Sequence, residues 1–523
     1  MNPFIGRSLT VVNSFSADEQ LYLYLKTKEL KLKSLAGESL DEFKINDPSL
    51  SAYIIFLEDS TRTKESFINA ARFHQIRVNV FDPGSSSFNK KESITDTMKM
   101  LFGYSDKSVF IIRSKQEGLC SWLDEALGAY AENIGRPKPS FLNGGDGKHE
   151  HPTQEFLDEF SFLEHKSWDR SHIHLCLVGD LFHGRTVHSK ADGLRVFNEV
   201  KVDLIAPPEL QMPESYVSKM ERNGFEVRIF HSIHEYLSSA GDIAPIWYFT
   251  RLQLERMGDE ILDKAESLRA SVSFTRDYMD RMEEGTRFYH PLPRHREHPT
   301  IPSFLDDTPL NGWDRQSING YFTRIVEIGL LAGRLGEGFE GRTLPDEEYA
   351  DDFVEIVKAF NSKPHNYKVG IKPVENGIVI DHIGRGKNLR QIWDHIDKIR
   401  RIMNLNIRSS HGVYHSNEDE IFKGIISLPD ILSFDERQIK MLGAIAPECT
   451  VNIIKDGRIL NKYRLHTPPR VYNFKEISCK NDSCISHPRF YEPVKAEFIR
   501  LDANTFTCKY CERPHSFHEI WDV

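Results

Sequence analysis

The sequence predicts an α/β chain with two doubly wound parallel-sheet domains, followed by a smaller α+β domain and a cysteine-rich end. Three patterns carry this expectation. Up to about residue 335, short apolar runs alternate with helically spaced segments, as in a parallel sheet covered by helices. From about residue 367 the order becomes β-α-β-β-α-β, a ferredoxin-like signature. Four of the seven cysteines then fall in the last 45 residues.

A chain of 523 residues holds three or four domains and buries large cores without covalent staples. Seven cysteines are too few for a disulfide scaffold in so long a chain, so a reducing compartment is expected. The formal net charge of −10 disfavours a general nucleic-acid binder but leaves room for a local basic pocket. The start MNPFIGRSLT lacks the regions of a secretory signal, and no apolar run reaches the roughly 18 residues of a membrane span. The expectation is a cytoplasmic protein, with neither membrane nor nucleic acid as partner.

Taken in order, Ser16 and Glu19 form a capping box that opens an amphipathic helix over LYLYLKTKELKLKSL. Ala52 to Leu57 reads as a buried strand, and Ser60, Thr61, Arg62 and Thr63 then fall at the start of a helix running to Phe73. Free N–H groups and the positive dipole end make such a start an anion cradle, and Arg62 adds a planar fork for phosphate. Ser and Thr also cap helices that bind nothing. The loop after VNVFDPG carries Ser87, Lys90 and Lys91; it suits either a closing, cation-bearing loop or a solvated surface loop. The strand SVFIIR ends at Arg113, and HPTQ opens the next helix near His151. Thr63, Arg113 and His151 all stand at the carboxyl ends of strands, where parallel sheets bind ligands. The first domain spans 1–150.

A second alternating unit covers 151–335. HIHLCLVGD leads through a turn to Arg185, and IAPIWYF leads to Arg251 and Gln253, two strand-end arginines suited to a carboxylate-bearing molecule. HPLPR at 290–294 makes a proline-flanked turn whose carbonyls accept from an amine or amide. An apolar-periodic helix from Ser317 to Leu335 closes the unit, and 336–366 reads as a linker. Within that linker Phe353, Ile356, Val357 and Phe360 make a helical stripe, expected as a docking helix. No Ser-His-Asp or Cys-His arrangement, Walker loop or zincin motif is evident. The residues suit positioning and charge stabilisation of two anionic small molecules.

Residues 367–470 hold the ferredoxin-like elements, from GIVIDHI to CTVNII, extended by a hairpin turning at Asp456-Gly457. In 471–523, Cys479-x4-Cys484 and Cys508-x2-Cys511 offer four thiolates for a closed tetrahedral site. A segment this small has too little core to fold well alone, so structural Zn in a zinc-ribbon-like domain is expected. A redox dithiol would explain only the CxxC pair, and the mixed charges of KAEFIRLDANTF give little support to a nucleic-acid ribbon.

STRT at 60–63, HPTQ at 151–154, VGDLFHGRTVHS at 178–189, TRLQLER at 250–256 and HPLPR at 290–294 resemble aspartate carbamoyltransferases in order and spacing. STRT and HPTQ are shared with the ornithine enzymes; TRLQLER and HPLPR match the aspartate ones, and no DxxxSMG segment of the ornithine type occurs. VIDHI, APECTVN and the cysteine-rich end resemble the family's regulatory chain.

The resemblance implies carbamoyl transfer from carbamoyl phosphate to L-aspartate, an early step of pyrimidine synthesis, with no catalytic cofactor. It puts Ser60, Thr61, Arg62, Thr63, Arg113, His151 and Gln154 on carbamoyl phosphate. Ser87 and Lys91 match residues given to a neighbouring subunit's site, although Asn89 replaces a usual glycine there. Arg185, Arg251 and Gln253 match aspartate-binding positions, and Leu292 and Pro293 match a backbone contact to the reacting groups. The catalytic set is Arg62, Thr63, Lys91, Arg113 and His151. Asp381, His382, Asn452 and Lys462 match nucleotide contacts, with Ser427 where the family commonly has a second lysine. Nucleoside triphosphate effectors and a homo-oligomer built on trimers, up to a hexamer, are implied. The other class of reading is a catalytically silent relative serving as a nucleotide-binding scaffold.

Overall fold

The computed structural model describes every residue except 1, 84–91, 255–263, 346–347, 358–370, 372–373, 406–408, 417–419, 430 and 523. It divides into two compact units, Met1–Pro345 with Asn481–Val494, and Asp346–Lys480 with Lys495–Val523.

The first unit opens with α1 (Ala17–Ala36), whose Ser16 hydroxyl accepts from the Glu19 N–H while the Glu19 carboxylate accepts from the Ser16 N–H. The predicted capping box is therefore closed. Four parallel strands follow, β1 (Leu50–Phe56), β2 (Arg77–Phe81), β3 (Lys107–Ser114) and β4 (Ser140–Asp146), interleaved with α2 (Thr61–Phe73), α3 (Ile94–Phe102) and α4 (Leu119–Asn133). Their spatial order is β2-β1-β3-β4. The chain thus departs from β1 to one side and returns to β3 on the other, and the two loops diverge at the carboxyl ends. That divergence is the crevice in which open α/β sheets bind ligands.

After α5 (Pro152–His165) the pattern repeats with β5 (His172–Val178), short helices α6 (Arg185–His188) and α7 (Lys190–Gly193), β6 (Glu199–Ile205), α8 (Glu214–Arg222) and β7 (Glu226–Phe230). It continues through α9 (Ile233–Ser239), β8 (Ile246–Phe249), α10 (Ala265–Val272) and β9 (Arg287–Tyr289), in the parallel order β7-β6-β5-β8-β9. Its crevice lies between β5 and β8. Both sheets contribute to one continuous apolar core, with Ile54, Phe67, Leu142, Leu175, Leu204 and Trp247 essentially without solvent exposure. The central strands β1 and β5 are buried on both faces over most of their length, so they read as apolar runs instead of alternating ones, whereas the edge strands β2 and β7 are more exposed. A long α11 (Trp313–Leu331) then packs back on α1, α2 and α5, and the carbonyl of its Ile325 lies 2.8 Å from the buried imidazole of His74.

Residues 481–494 join this unit through polar contacts. The Asn481 amide donates to the Glu117 carboxylate at 2.6 Å, and Glu492 accepts from the Ser93 hydroxyl at 2.9 Å and the Ile94 N–H at 2.7 Å. A carboxylate at the start of α3 is favoured by its free N–H groups and dipole.

The second unit holds β10 (Val354–Val357), β11 (Gly377–Gly386), α12 (Leu389–Ile402), β12 (Ser410–Ser416), β13 (Ile421–Pro429), α13 (Glu436–Ile445), β14 (Thr450–Lys455) and β15 (Arg458–Leu465). Its antiparallel sheet runs β10-β15-β14-β11-β13-β12. Strands β14-β11-β13-β12 have the expected ferredoxin-like order, and the β14–β15 hairpin turns through Asp456 and Gly457 at φ 50° and 70°. A second antiparallel sheet contains β16 (Arg470–Tyr472), β17 (Glu497–Arg500), β18 (Thr505–Cys508) and β19 (Pro514–Ser516).

Three expectations are corrected. The docking helix around Phe353, Ile356 and Val357 is absent: Val354–Val357 form the edge strand β10, paired antiparallel with β15. The β-branched Val354, Ile356 and Val357 suit a pleated edge, and four residues spaced three or four apart cannot tell a short strand from one helical turn. Phe360 lies outside the described residues. The helix expected after the β5 turn is split into α6 and α7, followed by a further turn of 3-10 helix over Leu194–Val196. The closing helix begins at Trp313, four residues ahead of the predicted Ser317. Among the described residues no helix is long and apolar enough to cross a membrane.

Candidate active site and metal centre

The two crevices face one cavity of about 740 Å³, and its lining holds Ser60 to Thr63, Arg113, His151, Gln154, Arg185, Arg251, Gln253, Leu292 and Pro293. Residues up to 233 positions apart in the chain therefore converge, Ser60 with Pro293 being the extremes. Ser87 and Lys91 lie outside the described residues.

The helix start at 60–63 faces the cavity with its first turn. Ser60 is the N-cap of α2, yet its side chain makes no capping hydrogen bond, so the first-turn N–H groups are not consumed by it. Thr61 and Arg62 are exposed, while Thr63 is buried. The extended register of β1 and β3 sets Arg113 level with Phe56, four residues ahead of the cradle. Arg113 donates to the Gly144 carbonyl at 3.0 Å and lies 3.3 Å from the carboxylate of Glu58. Glu58 also takes both terminal nitrogens of Arg185 at 3.0 Å each. One carboxylate thus links the cationic residues of the two crevices, and it escaped sequence reasoning because a lone Glu before STRT carries no motif.

Gly145 shows why the backbone is bare where these guanidinium groups meet. Its φ is +111°, and an added Cβ would stand 3.0 Å from Arg113 Nη1 and 3.1 Å from the Arg185 guanidinium. Any other residue is both strained and in the way.

Burial and nearby arginines favour the neutral form of two cavity histidines, His151 and His290. His151 is 3% exposed, and burial together with the charges of Arg113, Arg185 and Arg324 holds its pKa well below the ordinary imidazole value. A neutral ring offers one N–H donor and no charge. His290 is pushed down to about 3 by burial, then by Arg294, Arg62 and Arg251. Its Nδ1 accepts from the Leu292 N–H at 2.7 Å, which tightens the HPLPR turn.

Two further lining residues carry no sequence signal. Arg324 on α11 is buried over the Phe67 ring at 4.9 Å and donates to Ser66, with its pKa pushed down to about 10 by burial. Gln316 on the same helix accepts the His290 N–H at 2.9 Å. Both sit among apolar residues of a helix that reads as packing.

In the second unit, Asn452 and Lys462 are directly paired across β14 and β15, and Asn452 faces Val379 on β11. Val379 in turn pairs with Ser427, so Ser427, Val379, Asn452 and Lys462 form one row across the sheet. Asp381 lies two residues beyond Val379, on the same face. Its carboxylate accepts from the Tyr414 hydroxyl at 2.7 Å, and His382 Nδ1 lies 3.0 Å from the Thr450 hydroxyl. Among the described residues the buried side-chain oxygen of Asn452 finds no hydrogen-bond partner.

Cys479, Cys484, Cys508 and Cys511 are buried, and their sulfurs lie within 4.8 Å of one another. Cys479 and Cys511 are 3.7 Å apart. Sulfurs on a tetrahedron with metal–sulfur bonds of about 2.3 Å stand at nearly this separation, so the set fits a four-coordinate metal.

Comparison with known proteins agrees with this layout. Residues 7–164 match the aspartate/ornithine carbamoyltransferase carbamoyl-P binding domain, and 171–327 match the Asp/Orn binding domain. Residues 369–466 match the allosteric domain of the aspartate carbamoyltransferase regulatory chain, and 469–521 match its metal binding domain. Protein PyrBI of Thermotoga maritima is 52% identical over 99% of both chains, as is Protein PyrBI of Treponema denticola. The aspartate carbamoyltransferase catalytic subunit of Methanosarcina barkeri is 30% identical over 63% of this chain and 98% of its own. Aspartate transcarbamoylase from Trypanosoma cruzi, solved with carbamoyl phosphate and aspartate, superimposes with a TM-score of 0.53 at 28% identity, covering 63% of this chain and 97% of its own.

Proposed function

This chain belongs to the aspartate carbamoyltransferase family, with a catalytic chain and a regulatory chain joined in one polypeptide; from that premise we propose how its residues divide the work. The enzyme transfers the carbamoyl group of carbamoyl phosphate to L-aspartate, giving N-carbamoyl-L-aspartate and phosphate in pyrimidine synthesis. The observation that carries the residue assignment is the single cavity fed by both strand-order crevices.

Carbamoyl phosphate binds at the start of α2. Its phosphate takes the free N–H groups, the hydroxyls of Ser60, Thr61 and Thr63, and Arg62. Ser87 and Lys91, supplied by a neighbouring subunit, complete that cradle. The carbonyl oxygen accepts from Thr63, Arg113 and neutral His151, and Gln154 takes the amide end. Arg185 and Arg251 hold the carboxylates of aspartate, assisted by Gln253, while the Leu292 and Pro293 backbone receives the amine. The deprotonated α-amine attacks the carbamoyl carbon and forms the N–C bond. Negative charge then grows on the carbonyl oxygen, where preorganised donors stabilise it. The C–O bond to phosphate breaks, and the phosphate oxygens accept the amine proton, so no protein nucleophile is required. Much of the acceleration comes from holding two anions in register.

In this reading 1–150 is the carbamoyl-phosphate domain, 151–335 the aspartate domain with its return helix, 336–366 the linker, whose Val354–Val357 adds edge strand β10 to the regulatory sheet, 367–470 the regulatory domain and 471–523 the metal domain. The regulatory domain gives allosteric control. The polar row of Ser427, Asn452 and Lys462, with Asp381 and His382 beside it, supports a nucleoside triphosphate as the effector. The metal is zinc: four thiolates without an open position suit a structural site. Catalytic chains of the family assemble as trimers, so this chain forms a homo-oligomer built on trimers and works in the cytoplasm.

Phosphate release from carbamoyl phosphate tests the reading, with aspartate or ornithine as acceptor and with nucleoside triphosphates added. Turnover with aspartate alone, shifted by a nucleotide, is expected. Preference for ornithine overturns the specificity assignment, and no turnover with either favours the silent scaffold.

A further inference from the structure

Behind the cavity, outside the set assigned to either substrate, lies a fully buried charged cluster. Asp158 on α5 has no solvent exposure, and its Oδ1 accepts from Gln154 Nε2 at 2.8 Å and from Gln316 Nε2 at 2.6 Å. Its Oδ2 accepts from Lys190 Nζ at 2.9 Å. Lys190 is equally buried, donates to Glu155 at 2.5 Å and rests 4.6 Å from the centre of the Tyr248 ring. The ammonium compensates the carboxylate where solvent cannot.

The chemistry of a carboxylate decides the direction of both amides. An ionised carboxylate only accepts, so each glutamine must turn its NH2 end toward Asp158. Gln316 confirms the sense at its other end, where Oε1 accepts the His290 N–H. Gln154, on the cavity wall, is left with Oε1 as the end available to a ligand. The same carboxylate anchors, through Gln316, the turn that carries the Leu292 carbonyl. Acceptors, not donors, are thereby offered to the acyl group from two sides.

We propose that Asp158 is a positioning residue which, by fixing the Gln154 and Gln316 amides, makes the cavity select an acyl phosphate bearing N–H groups over its methyl isostere. The inference rests on the reading that Gln154 meets the carbamoyl end of the substrate. With Asp158 ionised, carbamoyl NH2 finds acceptors, whereas the methyl of acetyl phosphate leaves those oxygens unpaired. An unpaired buried acceptor weakens binding by about ten- to a hundredfold.

The test compares carbamoyl phosphate, acetyl phosphate and inorganic phosphate on the full chain, through the KM of the first and the inhibition constants of the other two. Asp158→Asn can turn its own NH2 toward the glutamines and release Gln154 to rotate. It should reduce the preference for carbamoyl over acetyl phosphate by about tenfold or more while inorganic phosphate binds unchanged. Gln154→Ala should lose the same preference. If Asp158→Asn fails to fold, Asp158→Leu combined with Lys190→Met removes carboxylate and ammonium together and carries the same readout. Equal weakening of all three ligands, or no change, in the Asp158 variants while Gln154→Ala loses the preference overturns the positioning role and leaves the Gln154 reading standing. An intact preference in Gln154→Ala overturns that reading and the inference with it.

Discussion

The cavity and the cysteine-rich segment both gather polar groups that would repel or stay unpaired in isolation, but different forces hold them. The cavity stands on central strands buried on both faces over most of their length and on helices sharing one apolar core. Its cationic residues are fixtures on a scaffold already paid for by burial, so removing one changes chemistry before it changes the fold. In the terminal segment the strands are only three or four residues long, and four buried thiols converge. There the apolar core is small, with Phe498, Phe506 and Ile520 buried beside the ligand set, so metal and fold stand or fall together. The contrast separates preorganisation inherited from hydrophobic packing from preorganisation made by coordination.

The largest effect should break the metal side. Chelation, or Cys508→Ser, should unfold the cysteine-rich segment, since structural zinc contributes about 10 kcal/mol or more in small domains. Deuterium exchange would show protection lost over β16 to β19 and kept over β1 to β5. Full protection after the metal is gone would put this segment in the same class as the cavity.

On the cavity side, Arg185→Leu should raise the KM for aspartate by about a hundredfold, with far less effect on that for carbamoyl phosphate. Loss of a bidentate charged contact costs about 2–5 kcal/mol. Circular dichroism and melting should stay close to those of the parent. Gly145→Ala sharpens the same point from the backbone. A φ of +111° and a Cβ 3.0 Å from Arg113 Nη1 impose strain of about 1–3 kcal/mol and shift both guanidinium groups. Turnover should fall by about ten- to a hundredfold and Tm by a few degrees.

The smallest effect concerns pH. Burial pushes His74 down to about 4 and His290 to about 3 from the usual 6.5. As pH falls below about 6.5 the unfolded chain takes up protons that the folded chain refuses, so stability decreases until the folded values are reached. Burial also raises Glu155 to about 7 and Glu327 to about 8 from 4.5. The folded chain then holds protons the unfolded chain has released, so their contribution is lost as pH rises from about 4.5 through 8. Melting of the first unit should therefore peak between these limbs, and His74→Gln should flatten the acid one. An acid limb unaltered in that variant would remove His74 from the account.

What was legible in the sequence was local. STRT, HPTQ and the paired cysteines are contiguous, and their chemistry needs no knowledge of the fold. Alternation of apolar runs with helical spacing announced the parallel sheets, and the strand-end positions of Arg113, Arg185 and Arg251 followed from it. Glu58, Asp158, Gln316 and Arg324 were not legible, because each acts through partners more than fifty residues away or through orienting another side chain. Edge strand β10 was misread because the short run FVEIV fits a helical turn through Phe353, Ile356 and Val357 and strand alternation through Val354 and Ile356.

The cavity's claim to be chemistry on an independent scaffold is tested most directly by Arg62→Ala, measured for carbamoyl transfer to aspartate and for thermal unfolding on the same full-length preparation. The account predicts a loss in kcat/KM on the order of a thousandfold, about 4 kcal/mol of transition-state stabilisation, with the melting profile unchanged. Near-normal turnover, or lost turnover accompanied by an equally lost fold, would contradict it.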